Sequence, residues 1–514
     1  MDKKKSEIDW GITLLPLLIV GVLTLLLMAY PEASKNTVNW LRNIFVNDLG
    51  FFYILVGLFM IFAALAVAFS RYGRIRLGNC EKPQYSTFRW GAMVFTSTMA
   101  ADILYWSLIE WSYYYNAAPF GMTNMTAAEK QDWASSYPLF HWGPIPWSFY
   151  ILPACAYAYM MYVKKRKRQT LSEACRPLLG RRADGFFGKV IDICAVVGLL
   201  AGTATTFSLT TPLLAAALGK IFGIKTDKIT DIMILFVIGL VFIFAVMKGM
   251  KAISHLALIC VSIFFLLLLL FIWGGDTRYL IETGITAIGN VMNNFFRMST
   301  WMDPLRVSGS GGAGFPQTWT IFYWAYWIAW FVATPFFIAS ISEGRTIRQT
   351  ILGGLSCGLS GTWLSFIVFG GFGLRLQTSG KLDVAGMIAG GKSVADVILQ
   401  IFGQLPYPKF AMAVLVLAMI AFYSSTFDAL TMVVAGYSDR RAAETGMPRK
   451  KLRAFWAMVF LLLPIGLMFS ESTLTNLQTI SIIAAFPLGL IMLSVVAGFL
   501  KELKKDSSDS LDKK

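Results

Sequence analysis

Twelve times along its length the chain runs apolar for roughly 17 to 30 residues, each stretch long enough to cross about 30 Å of hydrocarbon. The stretches lie near 11–30, 51–70, 89–116, 147–163, 189–217, 231–248, 253–274, 318–342, 349–373, 409–438, 452–470 and 474–500. In hydrocarbon every backbone N–H and C=O must be satisfied within the protein, so apolar runs of this length form helices. Only 14% of the 514 residues are charged, against about a quarter in soluble domains. The chain therefore reads as an all-α integral membrane protein of about twelve transmembrane helices.

The loops set the orientation. The net charge of +16 would point to nucleic acid in a soluble protein, but here it sits in short connections. Lys3–Lys5 precede the first span. Arg71, Arg74, Arg76 and Lys82 follow the second, Lys164 to Arg168 the fourth, Lys248 and Lys251 the sixth, Arg345 and Arg348 the eighth. Arg440 to Arg453 follow the tenth, and Lys501, Lys504 and Lys505 the last. Every even-numbered exit is basic, which puts both termini in the cytoplasm. The opening MDKKKSEIDWG runs into the first span without a small-residue cleavage site, so no cleavable signal is expected.

Between the seventh and eighth spans, Ile281, Ile285, Ile288, Met292, Phe295 and Phe296 recur with helical spacing in a stretch too polar to span. An amphipathic helix on the outer surface is expected over 279–299, followed by the flexible Ser308-Gly309-Ser310-Gly311-Gly312. The expected organisation is an N-tail (1–10), two N-terminal helices (11–88), five helices (89–274), the external helix and linker (275–316), five more helices (317–500), and a short, charged, disordered C-tail (501–514). Five plus five suggests an inverted repeat. Six cysteines without CxxC pairing and only His141 and His255 leave neither a disulfide framework nor a zinc or haem centre to expect, and no cofactor.

Four stretches carry chemistry. Residues 319–330, WTIFYWAYWIAW, place Trp319, Phe322, Tyr323, Tyr326, Trp327 and Trp330 at three- and four-residue steps, on one helical face. Aromatic faces attract cations, above all quaternary ammonium groups, which have no N–H to offer water. An interfacial belt of Trp and Tyr gives the same pattern. The third span, TSTMAADILYWSLIEW (96–111), combines small residues with Asp102 and Glu110. A carboxylate there costs about 2.5–3.5 kcal/mol on insertion scales and so faces a cavity, an ion or a partner helix. FHWGPIPWSFY (140–150) opens the fourth span with a second aromatic cluster, Trp142, Trp147 and Tyr150. In the tenth, Phe422 to Asp428 brings hydroxyls and an acid to mid-helix. These suit a small hard cation or bond back to their own helix.

WTIFYWAYW resembles the signature of the betaine/carnitine/choline transporter family, usually W-T-x-x-[FY]-W-x-W-W. FHWGPIPW, Glu110 after its small-residue break, and Ser342 to Arg348 extend the resemblance over nearly the whole chain. It implies a LeuT-like core of two inverted five-helix repeats behind two extra helices, usually trimeric, in a bacterial inner membrane. By resemblance, Trp142, Trp147, Tyr150 and Trp327 form a trimethylammonium box with Trp330 at its edge. Tyr326, Asp102 and Tyr105 complete the substrate-binding set. Ser425 and Thr426 match the family's sodium site, together with Thr96, Met99 and Phe422.

Three departures bear on substrate and ion. Tyr326 stands where the family carries tryptophan. The Gly-Met-Gly-Ile-Gly break of sodium-coupled betaine carriers reads Thr98-Met99-Ala100-Ala101-Asp102, aligning Asp102 with the last glycine, as in the family's choline carriers. Choline has no carboxylate of its own, whereas Asp102 would repel that of betaine or carnitine by roughly 4 kcal/mol at 4 Å and a dielectric near 20. Ala257 stands where carnitine exchangers place arginine. Ser425 and Thr426 favour Na+ coupling, although Ala333 falls where a second sodium site expects an aromatic, and Asp102 could instead carry H+. The leading expectation is an ion-coupled carrier of a choline-like cation, not an enzyme. The runners-up are a betaine or carnitine carrier and, from another class, a non-transporting membrane sensor. The short tail of mixed charge predicts that transport rate changes little with external osmolality.

Overall fold

The computed structural model describes residues 7–97, 101–117, 119–248, 250–308, 313–469 and 474–511. Met99 and the glycines of the 308–312 linker lie outside them, as do the side chains of His255 and Ala257. All twelve expected spans coincide with helices, and the pairing of strands among the described residues is limited to two isolated bridges, Ile8 with Asp439 and Arg76 with Thr346. The protein is an all-α membrane protein. Five described helices are long and apolar enough to cross singly, and eight do so if each bent pair counts as one span.

The breaks fall where the sequence is least regular. The third span is two helices, Thr87–Thr96 and Ala101–Asn116. The eighth bends by 51° between Pro316–Trp330 and Thr334–Ser340. These are the first of the five spans before and the first of the five spans after the connecting helix Thr277–Asn293. Irregular backbone at membrane depth survives only where protein or a cavity satisfies it. The fifth span, Phe186–Phe222, the tenth, Pro408–Ser438, and the ninth, Ile347–Ser365, are long helices beside these breaks.

The helix Thr277–Asn293 forms as expected and turns its apolar stripe outward, with Ile281, Ile285 and Met292 exposed, as is Phe296 beyond it. The adjacent stripe, Leu280, Gly284, Ala287 and Val291, is buried against the protein. Small side chains let helices approach closely. A Cβ on Gly284 would sit 2.7 Å from the side chain of Ile367. The expectation of a disordered tail is corrected. The last span, Leu474–Leu511, runs on as one helix, with Leu503 buried, a Lys164–Asp506 ion pair at 2.7 Å and an Arg166–Glu502 pair.

Candidate functional site

The tryptophan-rich helix does not face lipid. Trp319, Phe322, Tyr323, Trp324, Tyr326 and Trp327 are all buried, none more than 7% exposed. The interfacial-belt reading of these residues is therefore set aside. Trp327 is the hub of a four-ring cluster. Its ring centroid lies 5.4 Å from Trp142, 5.4 Å from Trp147 and 4.9 Å from Tyr150, and Trp147 meets Tyr150 edge-on at 5.9 Å. The fourth span delivers three rings because Trp147 and Tyr150 share a helical face and Gly143, at the helix start, turns Trp142 in from the preceding helix. Gly358 on the ninth span makes room for Trp147, since a Cβ there would lie 2.6 Å from the indole. Thr362, one turn further on, accepts a hydrogen bond from Trp147 Nε1 at 3.3 Å and donates to the Trp142 carbonyl at 2.9 Å.

All four rings line a cavity of about 1090 Å³, as do Asp102, Tyr326, Trp330, Ala333, Thr96, Ser425 and Thr426. The cavity runs to the face that carries the basic loops. Lys167, Arg168, Lys189 and Arg440 stand around its mouth beside Asp9, Asp184, Asp192, Asp428 and Asp439. Two of the sequence-derived site residues stand apart among the described residues. Tyr105 is buried with its ring edge-on to Trp106, and Phe422 is fully buried. Neither side chain lines the cavity.

The two carboxylates of the third span have different surroundings. Asp102, in the first turn after the break, accepts a hydrogen bond from the Tyr326 hydroxyl at 2.7 Å. The Tyr326 oxygen also lies 2.5 Å from Thr206 Oγ1 on the fifth span. Glu110, two turns on, is sealed from solvent. Its Oε2 accepts from Trp142 Nε1 at 2.8 Å and its Oε1 from Tyr114 at 2.8 Å. His141 Nδ1 lies 3.2 Å from that same Oε1, and its Nε2 lies 3.0 Å from Thr320 Oγ1. The imidazole stacks on Tyr323 at 4.7 Å. Glu110 thus ties the third, fourth and eighth spans together directly behind the rings. Asp102 faces the cavity. The Nε1 groups of Trp327 and Trp330 are buried with no hydrogen-bond partner among the described residues.

No motif in the sequence alone marks Thr206, Thr320 or Thr362 as partners of the site, or His141 as a partner of Glu110, and Tyr323 shows there only as one member of the aromatic face. The hydroxyl enrichment of the fifth span (Thr203, Thr205, Thr206, Thr210, Thr211) was a visible signal. The rest need three-dimensional partners to be recognised.

Residues 11–508 match the model of the BCCT, betaine/carnitine/choline family transporter. The chain is 28% identical to a "Carnitine transporter" of Acinetobacter baumannii over 98% of its own length and 91% of the relative's. It is 32% identical to a "Probable glycine betaine transporter" of Desulfitobacterium hafniense over 98% of its length and 99% of the relative's. A structure of a Na+-coupled sialic acid symporter aligns over 90% of this chain and 86% of that one at a TM-score of 0.41 and 12% identity, too slight a likeness to bear on substrate or ion. The match across nearly the full length means that the chain belongs to the betaine/carnitine/choline transporter family, whose members are transporters and not enzymes.

Proposed function

We propose that this transporter carries a choline-like quaternary-ammonium cation across the bacterial inner membrane by alternating access. The observation that carries the reading is the meeting of Asp102 with Trp142, Trp147, Tyr150 and Trp327 on one cavity wall. The rings supply a cation–π environment for a trimethylammonium group, about 2 kcal/mol for a desolvated contact. Asp102 supplies the negative charge that choline lacks, and it disfavours a second carboxylate on the substrate. The cavity mouth lies among the basic loops, which the positive-inside rule assigns to the cytoplasm together with both termini, so this arrangement is read as inward-facing. Ser425 and Thr426 on the cavity wall, with Thr96 nearby, support a Na+ site. A proton carried by Asp102 is the alternative coupling. Two inverted five-helix repeats and a homotrimer in the bilayer complete the proposal, by family resemblance.

A second reading has its own support. The indole N–H groups of Trp327 and Trp330, without a hydrogen-bond partner among the described residues, are donors of the kind a substrate carboxylate accepts, and the named relatives are a "Carnitine transporter" and a "Probable glycine betaine transporter". Binding of choline, glycine betaine and carnitine to purified protein, followed by tryptophan fluorescence in wild type and Asp102→Gly, separates the two. Choline binding weakened in the variant, with betaine binding strengthened, supports the choline reading. Betaine or carnitine bound more tightly than choline by the wild type sinks it in favour of the second.

A further inference from the structure

Two of the three departures named above touch each other. Asp102 stands where the resemblance to sodium-coupled betaine carriers expects glycine, Tyr326 where the family signature expects tryptophan, and the tyrosine hydroxyl donates to Asp102 Oδ2 at 2.7 Å. A phenol has one proton. With that proton committed to the carboxylate, the 2.5 Å contact between Tyr326 and Thr206 is one in which the threonine hydroxyl donates to the phenolic oxygen. The result is a directed chain, Thr206 to Tyr326 to Asp102, each donor aimed toward the acid. It links the fifth, eighth and third spans. Thr206 is 1% exposed and Tyr326 2%, so water competes little for the two hydroxyls, and donors in series polarise one another. Tryptophan at 326 would break the chain, because an indole N–H can donate but has no oxygen to accept from Thr206.

We infer that Thr206 and Tyr326 are positioning residues that hold the Asp102 carboxylate at the cavity wall, so that the three act as one unit setting discrimination between a cation without a carboxylate and a zwitterion. This rests on the reading of Asp102 as selector. On this inference Tyr326 contributes through its hydroxyl rather than as a further face of the aromatic box, and Thr206, behind the wall, matters without touching substrate.

The test uses the purified full-length protein and dissociation constants for choline and glycine betaine from tryptophan fluorescence, expressed as the betaine-to-choline ratio. Tyr326→Phe removes only the hydroxyl and should lower the ratio about tenfold, the size of a hydrogen bond to a charged group. Thr206→Val should lower it about threefold, and Thr206→Ser should restore it. In the Asp102→Gly background Tyr326→Phe should leave the ratio unchanged. An equal effect of Tyr326→Phe in both backgrounds, or none in wild type, overturns the inference while leaving Asp102 as selector. A ratio that Asp102→Gly itself does not alter overturns the selector reading, and the inference with it. Should Tyr326→Phe not fold, the Val and Ser variants of Thr206, which keep the phenol in place, decide alone.

Discussion

The two ends of the aromatic cluster are built from similar residues and behave differently. At the sealed end, Glu110, Tyr114, His141, Trp142 and Thr320 exchange hydrogen bonds out of reach of solvent. At the open end, Asp102, Ser425 and Thr426 border a cavity of about 1090 Å³. Glu110 and Asp102 sit on one helix eight residues apart. What separates them is the company each keeps. A carboxylate whose oxygens are shared among tryptophan, tyrosine and histidine from neighbouring spans acts as structural glue. A carboxylate that a phenol and the amides of its own helix start hold at a cavity wall can meet a ligand. An acid within a membrane span is thus a prompt to ask what else reaches it.

The largest expected effect belongs to the sealed end. Glu110→Ala removes the acceptor that Trp142, Tyr114 and His141 share and should destabilise the protein by about 3 kcal/mol, read as a lower midpoint of thermal unfolding in detergent. A midpoint within a degree of wild type breaks the comparison. Trp327→Ala, at the hub, should weaken substrate binding at least tenfold, about 2 kcal/mol for a desolvated cation–π contact, and unchanged affinity would take Trp327 out of the box. At the open end, Ser425→Ala combined with Thr426→Ala should raise the sodium concentration for half-maximal uptake about fivefold, on the scale of a lost polar contact. Uptake indifferent to sodium in the wild type ends that assignment. The smallest effect is expected far from both ends. The Lys164–Asp506 pair has side chains 28% and 30% exposed, so Asp506→Asn should cost less than about 1 kcal/mol and leave substrate affinity unchanged. An affinity change there would mean that the terminal helix communicates with the cavity.

How much of this could be read from the residues depends on the distance over which each feature is encoded. The twelve spans and the aromatic face of 319–330 are local patterns, and the helices and the buried rings agree with them. The Glu110 network is not local. His141 lies 31 residues from Glu110 and 179 from Thr320, so neither spacing nor composition marks it. The helix at 277–293 was half legible. Its apolar stripe announced the helix, while the adjacent stripe of Leu280, Gly284, Ala287 and Val291 that packs on the protein gives no strong apolar signal, because small residues pack helices within membrane proteins. The tail at 501–511 looked disordered because its charges seemed unpaired, whereas Glu502 and Asp506 find Arg166 and Lys164 more than 330 positions away.

The mouth of the cavity has one more consequence. All five of its acids stand beside arginines: Asp9 by Arg440, Asp184 by Arg176, Asp192 by Arg168, Asp428 by Arg453 and Asp439 by Arg449. Paired in this way they present little free negative charge, and in about 0.15 M salt an exposed charge is felt over only ~8 Å. If the proposed cation is the substrate, the mouth offers it no strong second anchor, and its residence time is set at the rings.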